Sequence, residues 1–229
     1  MLFEKPLYKL SPSKLNLLEN CPRCFYLEVI KKISRPSLGF PSLPSGIDKM
    51  LKEHFDRFME KEQLPPELTI LKDEKVKLFN NKELLKKWRN TRTGIEFFDS
   101  ENGILFHGAI DNILQKKNKL IVLDYKTKGF PVKENDHHSY QDQLNCYNFL
   151  LRKNNYETED YSYLLFYVPD KFLETGEFLF KTELRKVNIN VKHTEDLYRK
   201  AVKVLNNGMH DCNERCIYCK WKEALKYVY

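Results

Sequence analysis

The sequence has no apolar run long enough to span a bilayer. Its longest lies near Tyr161 to Val168, whereas a membrane helix needs about 20 residues. No basic start leads into an apolar stretch at Met-Leu-Phe-Glu-Lys-Pro, so no secretory signal is visible. There is no internal repeat, which leaves out a repeat array, and no low-complexity segment, which leaves out a long disordered tract. The chain is expected to be soluble and cytoplasmic.

What is present fits a folded enzyme-sized unit. The 229 residues are 41% hydrophobic and 31% charged, a globular composition. That length supports one sizeable core, so a single domain with elaborations is expected over 1–229. Lys and Arg number 39 against 32 Asp and Glu, a net charge of +7. This mild excess is compatible with a polyanionic partner. Of six cysteines, five cluster near the two chain ends. In a reducing compartment such clusters point to metal or redox chemistry more than to disulfides. Cys146 stands alone in an apolar helical pattern and is expected in the core.

Ser11 or Ser13 can cap a helix starting near Lys14, with Cys21 and Cys24 inside it. Gly39 to Ser45 reads as a Pro-rich loop. A second helix is predicted from near Gly46 to about Glu62, ended by Pro65 and Pro66. A short helix is expected around Lys82 to Trp88, and a strand near Ile95 to Phe98. Gly103 to Leu114 and Leu120 to Lys126 read as two strands of an antiparallel hairpin, turning through Gln115 to Lys119. A helix from about Ser139 to Arg152 follows. Tyr161 to Val168 is a strand, Phe178 to Val191 one or two more, and Thr194 to Leu205 a helix, with a short helix in the tail. That order predicts an α/β fold, a mixed core wrapped by N- and C-terminal helical parts.

Along Leu120 to Lys126, alternation puts Asp124 and Lys126 on one face. Charged groups ending a buried strand need a partner or a task. Asp111, near the end of the preceding strand, can be brought close to Asp124 by the hairpin. Two adjacent carboxylates repel unless a cation lies between them, and hard oxygen donors suit Mg²⁺ or Mn²⁺. Tyr125 would add its backbone carbonyl, and Lys126 would orient a water or stabilise developing phosphate charge. An Asp-x-Lys triplet by itself is common. A second one, Asp73-Glu74-Lys75, lies in a polar stretch with no strand before it. The apolar strand and the second Asp set Asp124-Tyr125-Lys126 apart.

Gly108-Ala109-Ile110-Asp111, followed 13 residues later by Asp124-Tyr125-Lys126-Thr127, resembles the core of the PD-(D/E)XK nuclease superfamily. Within it the sequence is similar to the RecB-type group, which includes CRISPR-adaptation exonucleases. That resemblance implies a restriction-endonuclease-like mixed central sheet flanked by helices, with its core at about 94–191. Gln143-Leu-Asn-Cys-Tyr147 matches the group's Gln-x-x-x-Tyr helix, which implies a place for Gln143 and Tyr147 near the active site and the DNA. The group also carries a metal-binding His in an early helix, after a Gly. The best alignment of Pro44-Ser45-Gly46-Ile47-Asp48 puts Asp48 there, a tolerable oxygen ligand. His54, nearly two turns on, fits the pattern less well and is expected as a packed or surface residue.

Cys21-Pro-Arg-Cys24 and Cys212-Asn-Glu-Arg-Cys216-Ile-Tyr-Cys219 carry two Cys-x-x-Cys pairs. Thiolate-only sites of this kind hold Zn²⁺ or an iron–sulfur cluster. Cys21-Pro-Arg-Cys-Phe25-Tyr26 is similar to a segment that, in many RecB-type exonucleases, supplies one ligand of a [4Fe–4S] cluster. The symmetric ligand set is Cys21, Cys24, Cys216 and Cys219. The more usual family set would use Cys212 in place of Cys24, and zinc stays open. Either way, the site is expected to be a structural clasp between about 11–30 and 208–229. The same cysteine spacing resembles a radical-SAM motif, but only ten residues follow Cys219, too few for the barrel that motif precedes.

The reading is a Mg²⁺- or Mn²⁺-dependent DNA nuclease, exonuclease-like, acting on single strands or duplex ends. Protein partners would belong to DNA repair, recombination or CRISPR adaptation. The alternatives are a non-cleaving nucleic-acid-binding module or partner subunit of the same fold, and a zinc-held protein-interaction domain.

Overall fold

The computed structural model describes residues 2–36, 39 and 42–225. In chain order its elements are β1 Tyr8–Leu10, α1 Pro12–Asn20, α2 Pro22–Val29, α3 Ser42–Glu60, β2 Val76–Leu78, α4 Lys82–Trp88, β3 Ile95–Asp99 and β4 Ile104–Gly108. There follow β5 Asn112–Lys116, β6 Lys119–Thr127, α5 Gln141–Lys153, β7 Tyr161–Phe172, β8 Phe178–Asn188, α6 Val191–Asn206 and α7 Ile217–Leu225. Short 3₁₀ helices occupy Pro66–Glu74 and Asp136–Tyr140. The chain divides into two compact units: Met1–Gly39, Glu96–His107 and Val191–Tyr229 in one, Phe40–Ile95 and Gly108–Asn190 in the other.

The second unit is built on a mixed five-stranded sheet in the order β2-β5-β6-β7-β8. β5 and β6 are antiparallel neighbours with Asn112 opposite Leu123, β6 runs parallel to β7, and β8 returns antiparallel. The parallel step is made through α5, since a parallel pair needs a crossover. β6 is the middle strand and is buried from Leu120 to Tyr125. This is why it reads as a continuous apolar run rather than an alternating one. On one face, Phe55 of α3 packs on the Tyr125 ring with centroids 4.8 Å apart. On the other, Lys126 meets Gln143 of α5. Two buried amides on α5 find partners: Asn148 Nδ2 donates to Ser162 Oγ at 2.9 Å, and Asn145 Oδ1 accepts from the Asn190 backbone amide at 2.8 Å, while Asn148 Oδ1 is buried without a partner. A buried polar group left unpaired costs about 1–3 kcal/mol.

The first unit carries a three-stranded sheet, β1-β4-β3, with β1 parallel to β4. Its helical part packs α1 and α2 against α6. On α6, Thr194, Leu197, Tyr198, Ala201, Val204 and Leu205 are buried at helical spacing.

Several expectations change. Gly103 to Leu114 is two strands, β4 and β5, which join different sheets. At Ala109 to Asp111 the chain leaves the ladder: the Ile110 amide donates to the Trp88 carbonyl, and Arg89 Nε donates to the Asp111 carbonyl at 2.8 Å. The run looked continuous because residues on both sides of the break are buried. Cys21 is not inside a helix. Its φ of −166° ends α1 and caps α2, whose first residue is Pro22. α3 starts at Ser42, not Gly46, with Pro44 in its first turn, where no amide partner is needed. The remaining loop residues Phe40 and Pro41 lie outside the described residues, as do the last four of the expected C-terminal clasp. α3 ends at Glu60, with Glu62 in the left-handed region at φ 52°, and Pro66 opens the following 3₁₀ helix. The hairpin turn is tighter than expected, with Lys116 opposite Lys119 and Lys117 at φ 53°. Among the described residues, no helix is long and apolar enough to cross a membrane.

Candidate active site

The site lies at one end of β5 and β6, within the second unit. Asp111 directly precedes β5, so the antiparallel register sets it beside Asp124 of β6. Its Oδ2 accepts from the Tyr125 amide at 3.2 Å. Asp124 is 1% exposed, and its Oδ2 forms an ion pair with the Lys126 ammonium. That oxygen is buried and has no aligned hydrogen bond.

Burial pushes the Asp124 carboxyl upward. Lys126 opposes that shift and Asp111 adds to it. Burial also works against the Lys126 charge, but the Asp124 carboxylate outweighs it and the ammonium pKa is raised. Lys126 Nζ donates to Gln143 Oε1 at 3.0 Å and lies 4.8 Å from the Tyr140 ring centroid. Gln143 Nε2 donates to the Tyr147 hydroxyl at 2.7 Å. Burial, then Asp124 and Asp111, hold the Tyr147 hydroxyl firmly protonated. α5 presents Gln143 and Tyr147 at i and i+4, one face of the helix. Gly108 lets that helix approach: a Cβ there would meet Tyr147 Cε1 at 2.9 Å.

Asp48 lies on α3. Lys52, one turn on, contacts Asp48 Oδ2 at 2.7 Å and Asp111 Oδ1 at 3.1 Å. Burial disfavours the Lys52 charge, but Asp111 and Asp48 outweigh it and raise its pKa. Tyr125 turns its side chain away from the carboxylates, accepting from Asn112 Nδ2 at 2.6 Å. His54 pairs with Glu67 at 3.1 Å, and Glu67 also accepts from the Tyr167 hydroxyl at 3.0 Å. The second triplet, Asp73-Glu74-Lys75, sits at the end of a 3₁₀ helix, where Glu74 pairs with Lys116.

The donor set suits a divalent cation. Two carboxylates stand side by side, one of them fully buried with an oxygen that lacks an aligned hydrogen bond, and Mg²⁺ and Mn²⁺ prefer such oxygens.

Sequence reasoning missed Lys52, Tyr140 and Arg89. Arg89 Nη1 reaches both oxygens of Asp56 at 2.8 Å while its Nε holds the Asp111 carbonyl. A signal for two of these contacts was present. Asp48, Lys52 and Asp56 recur every four residues, a charged stripe beside the apolar one of Leu51, Phe55 and Met59. Nothing in the sequence marks Tyr140.

In the first unit, Cys21, Cys24, Cys216 and Cys219 are all buried, and their sulfurs lie within 4.8 Å of one another. Cys212 is outside that group. Arg35 Nη2 donates to Cys216 Sγ at 3.4 Å, a contact no motif announced.

A mixed sheet flanked by helices makes this an α/β protein, with two carboxylates and a lysine meeting at one end of β5 and β6. The model of the PD-(D/E)XK nuclease superfamily matches residues 9–224, and the chain belongs to that superfamily. Its members are generally metal-dependent nucleases, so the substrate implied is a nucleic acid. No curated protein matches the chain. Twelve chains of solved structures do. The crystal structure of SSO0001 is 17% identical with a TM-score of 0.43, over 96% of this chain and 86% of that one.

Proposed function

We propose that the chain is a RecB-type nuclease that hydrolyses phosphodiester bonds in DNA with Mg²⁺ or Mn²⁺, in an exonuclease-like manner. The observation that carries this reading is the Asp111, Asp124 and Lys126 arrangement, with the Asp124 carboxyl buried against the Lys126 ammonium. Asp111 and Asp124 would hold the ion, with the Tyr125 carbonyl and Asp48 completing its oxygen donors. A bound divalent ion supplies Lewis-acid polarisation of the phosphate and an acidified water. Lys126 orients the attacking water and meets charge developing on the phosphate. Gln143 fixes Lys126, and Tyr147, held protonated, supports Gln143 from the helix behind.

The chain is expected to act as one nuclease domain on DNA single strands or duplex ends. Its partners would be proteins of DNA repair, recombination or CRISPR adaptation. Lys126→Ala protein should remain folded by circular dichroism yet leave end-labelled single- and double-stranded DNA uncut in Mg²⁺ or Mn²⁺. Cleavage at the wild-type rate would end the assignment.

One observation favours a second reading, a non-cleaving nucleic-acid-binding module. The Lys52 ammonium already pairs with both Asp48 and Asp111, taking the place an ion would have between them. Under that reading the wild-type protein binds DNA but cuts none of these substrates with either metal.

A further inference from the structure

The four buried cysteines are spaced for one ion. Cys21 Sγ lies 3.8 Å from Cys219 Sγ, and Cys24 Sγ lies 3.7 Å from Cys216 Sγ and 3.8 Å from Cys219 Sγ. A zinc–thiolate bond is about 2.3 Å, so the edge of a regular ZnS₄ tetrahedron is about 3.8 Å. Three sulfur pairs stand at that edge length. A [4Fe–4S] cube needs a wider nest: each thiolate binds a different iron corner, which holds the sulfurs roughly 6 Å apart. The cluster implied by the resemblance to RecB-type exonucleases therefore does not fit these four residues. A disulfide does not describe them either, since its sulfurs bond at about 2.05 Å and all six cysteines are free.

The local structure repeats the same device twice. Cys21 caps α2 and Cys24 falls in its first turn. Cys216 directly precedes α7 and Cys219 falls in its first turn. A helix N-terminus carries partial positive charge, which favours thiolate over thiol. Four thiolates around a divalent ion leave a net double negative charge. The Arg35 guanidinium beside Cys216 offsets part of it and is itself held over the Tyr218 ring, 4.5 Å from the centroid. All four sulfurs sit on residues 7% exposed or less, so water does not compete for them.

We propose that Cys21, Cys24, Cys216 and Cys219 hold a single structural Zn²⁺ ion. The ion cross-links the first helices of the chain to its C-terminal helix within the first unit. Cys212 takes no part. The assignment is independent of the cleavage chemistry.

The test uses the full chain, purified anaerobically from cells supplied with iron, cysteine and zinc alike. Elemental analysis is expected to give about one zinc per chain, with no acid-labile sulfide and no brown colour. Exchange with Co²⁺ should give intense d–d bands at about 600–750 nm, as a tetrahedral thiolate site does. Cys212→Ser should keep its zinc, while Cys216→Ser should lose it to a chelator at least tenfold more readily. Iron and sulfide in equal amounts would overturn the proposal, as would a metal-free protein with its buried cysteines oxidised. Loss of zinc from Cys212→Ser would overturn the ligand set. If Cys216→Ser does not fold, the wild-type metal content and Cys212→Ser still decide.

Discussion

Gln143 Oε1 accepts a hydrogen bond from Lys126 Nζ at 3.0 Å. The amide therefore stands between the strand that carries the lysine and the Tyr147 hydroxyl one turn along α5, which accepts from its other end. Lys126 thus has an oxygen on two sides, Asp124 and Gln143, and its ammonium has little freedom.

If Lys126 acts on the reacting phosphate and Gln143 only positions it, the two variants should differ in degree. Lys126→Ala is expected to lower kcat by about 10³-fold, the scale of one lost charge-stabilising donor. Gln143→Ala should cost roughly 10-fold, and Gln143→Glu should recover part of it, because a carboxylate oxygen still accepts from Lys126. KM for DNA should move less than kcat in both. An equal loss for both variants, falling on KM, would make the pair a DNA-binding feature instead.

At Gly108 the helix behind the site comes close to the strand. Gly108→Ala places a methyl group 2.9 Å from the Tyr147 ring. Overpacking of this kind costs about 1–3 kcal/mol, measured by urea unfolding. The Tyr147→Ala background removes the two nearest atoms and leaves only Leu150 Cδ1, at 3.1 Å, so there the same substitution should cost clearly less. Equal costs in both backgrounds would mean that the Tyr147 ring is not what Gly108 accommodates.

Much of this site was legible because strand periodicity is a short-range property. Asp124 and Lys126 share a face by alternation alone, and the hairpin needed only a two-residue turn to bring Asp111 close. α4 was legible for the same reason, with Asn81 capping it by accepting from the Leu84 amide at 3.0 Å. The break at Ala109 to Asp111 was not. It depends on Trp88 and Arg89 supplying partners from more than 20 residues away, and no local propensity reports that. Cys21 reads as helical because Leu15, Leu18, Tyr26 and Ile30 keep nearly helical spacing across it. Pro22 was the signal for a new start. The charged stripe of Asp48, Lys52 and Asp56 along α3 is legible, but only the tertiary fold sets Lys52 against Asp111.

Asp124 gives the protein a pH-dependent stability. Its carboxyl is raised from 3.8 to about 7 in the folded chain, so folding favours the protonated form. That contribution is fully present below the unfolded value and is lost as pH rises towards about 7. Lys126, raised from 10.5, stays charged throughout this window. Asp124→Asn removes the titration. Its melting temperature relative to wild type should therefore climb between about pH 4 and pH 7 and then level off. A difference independent of pH over that range would mean that the folded carboxyl titrates normally. These melts belong in chelator, because a divalent ion would favour the charged carboxylate.

Lys52 tests which oxygens a divalent ion uses. Its ammonium bridges Asp48 and Asp111, so a bound ion at those carboxylates would compete with it. Lys52→Met keeps the aliphatic stem and removes the charge. In chelator, it leaves two partly exposed carboxylates without their shared cation, and a loss of about 1 kcal/mol is expected for a pair so placed. Mn²⁺ should then raise the melting temperature of Lys52→Met more than that of wild type, since ligand stabilisation grows with affinity. Adding Asp48→Asn to Lys52→Met should reduce that gain if Asp48 is a donor. If Mn²⁺ raises all three proteins equally, the ion is held by Asp124 and its neighbours on β6 without Asp48. Asp48 would then stand apart from the ion, paired with Lys52 alone.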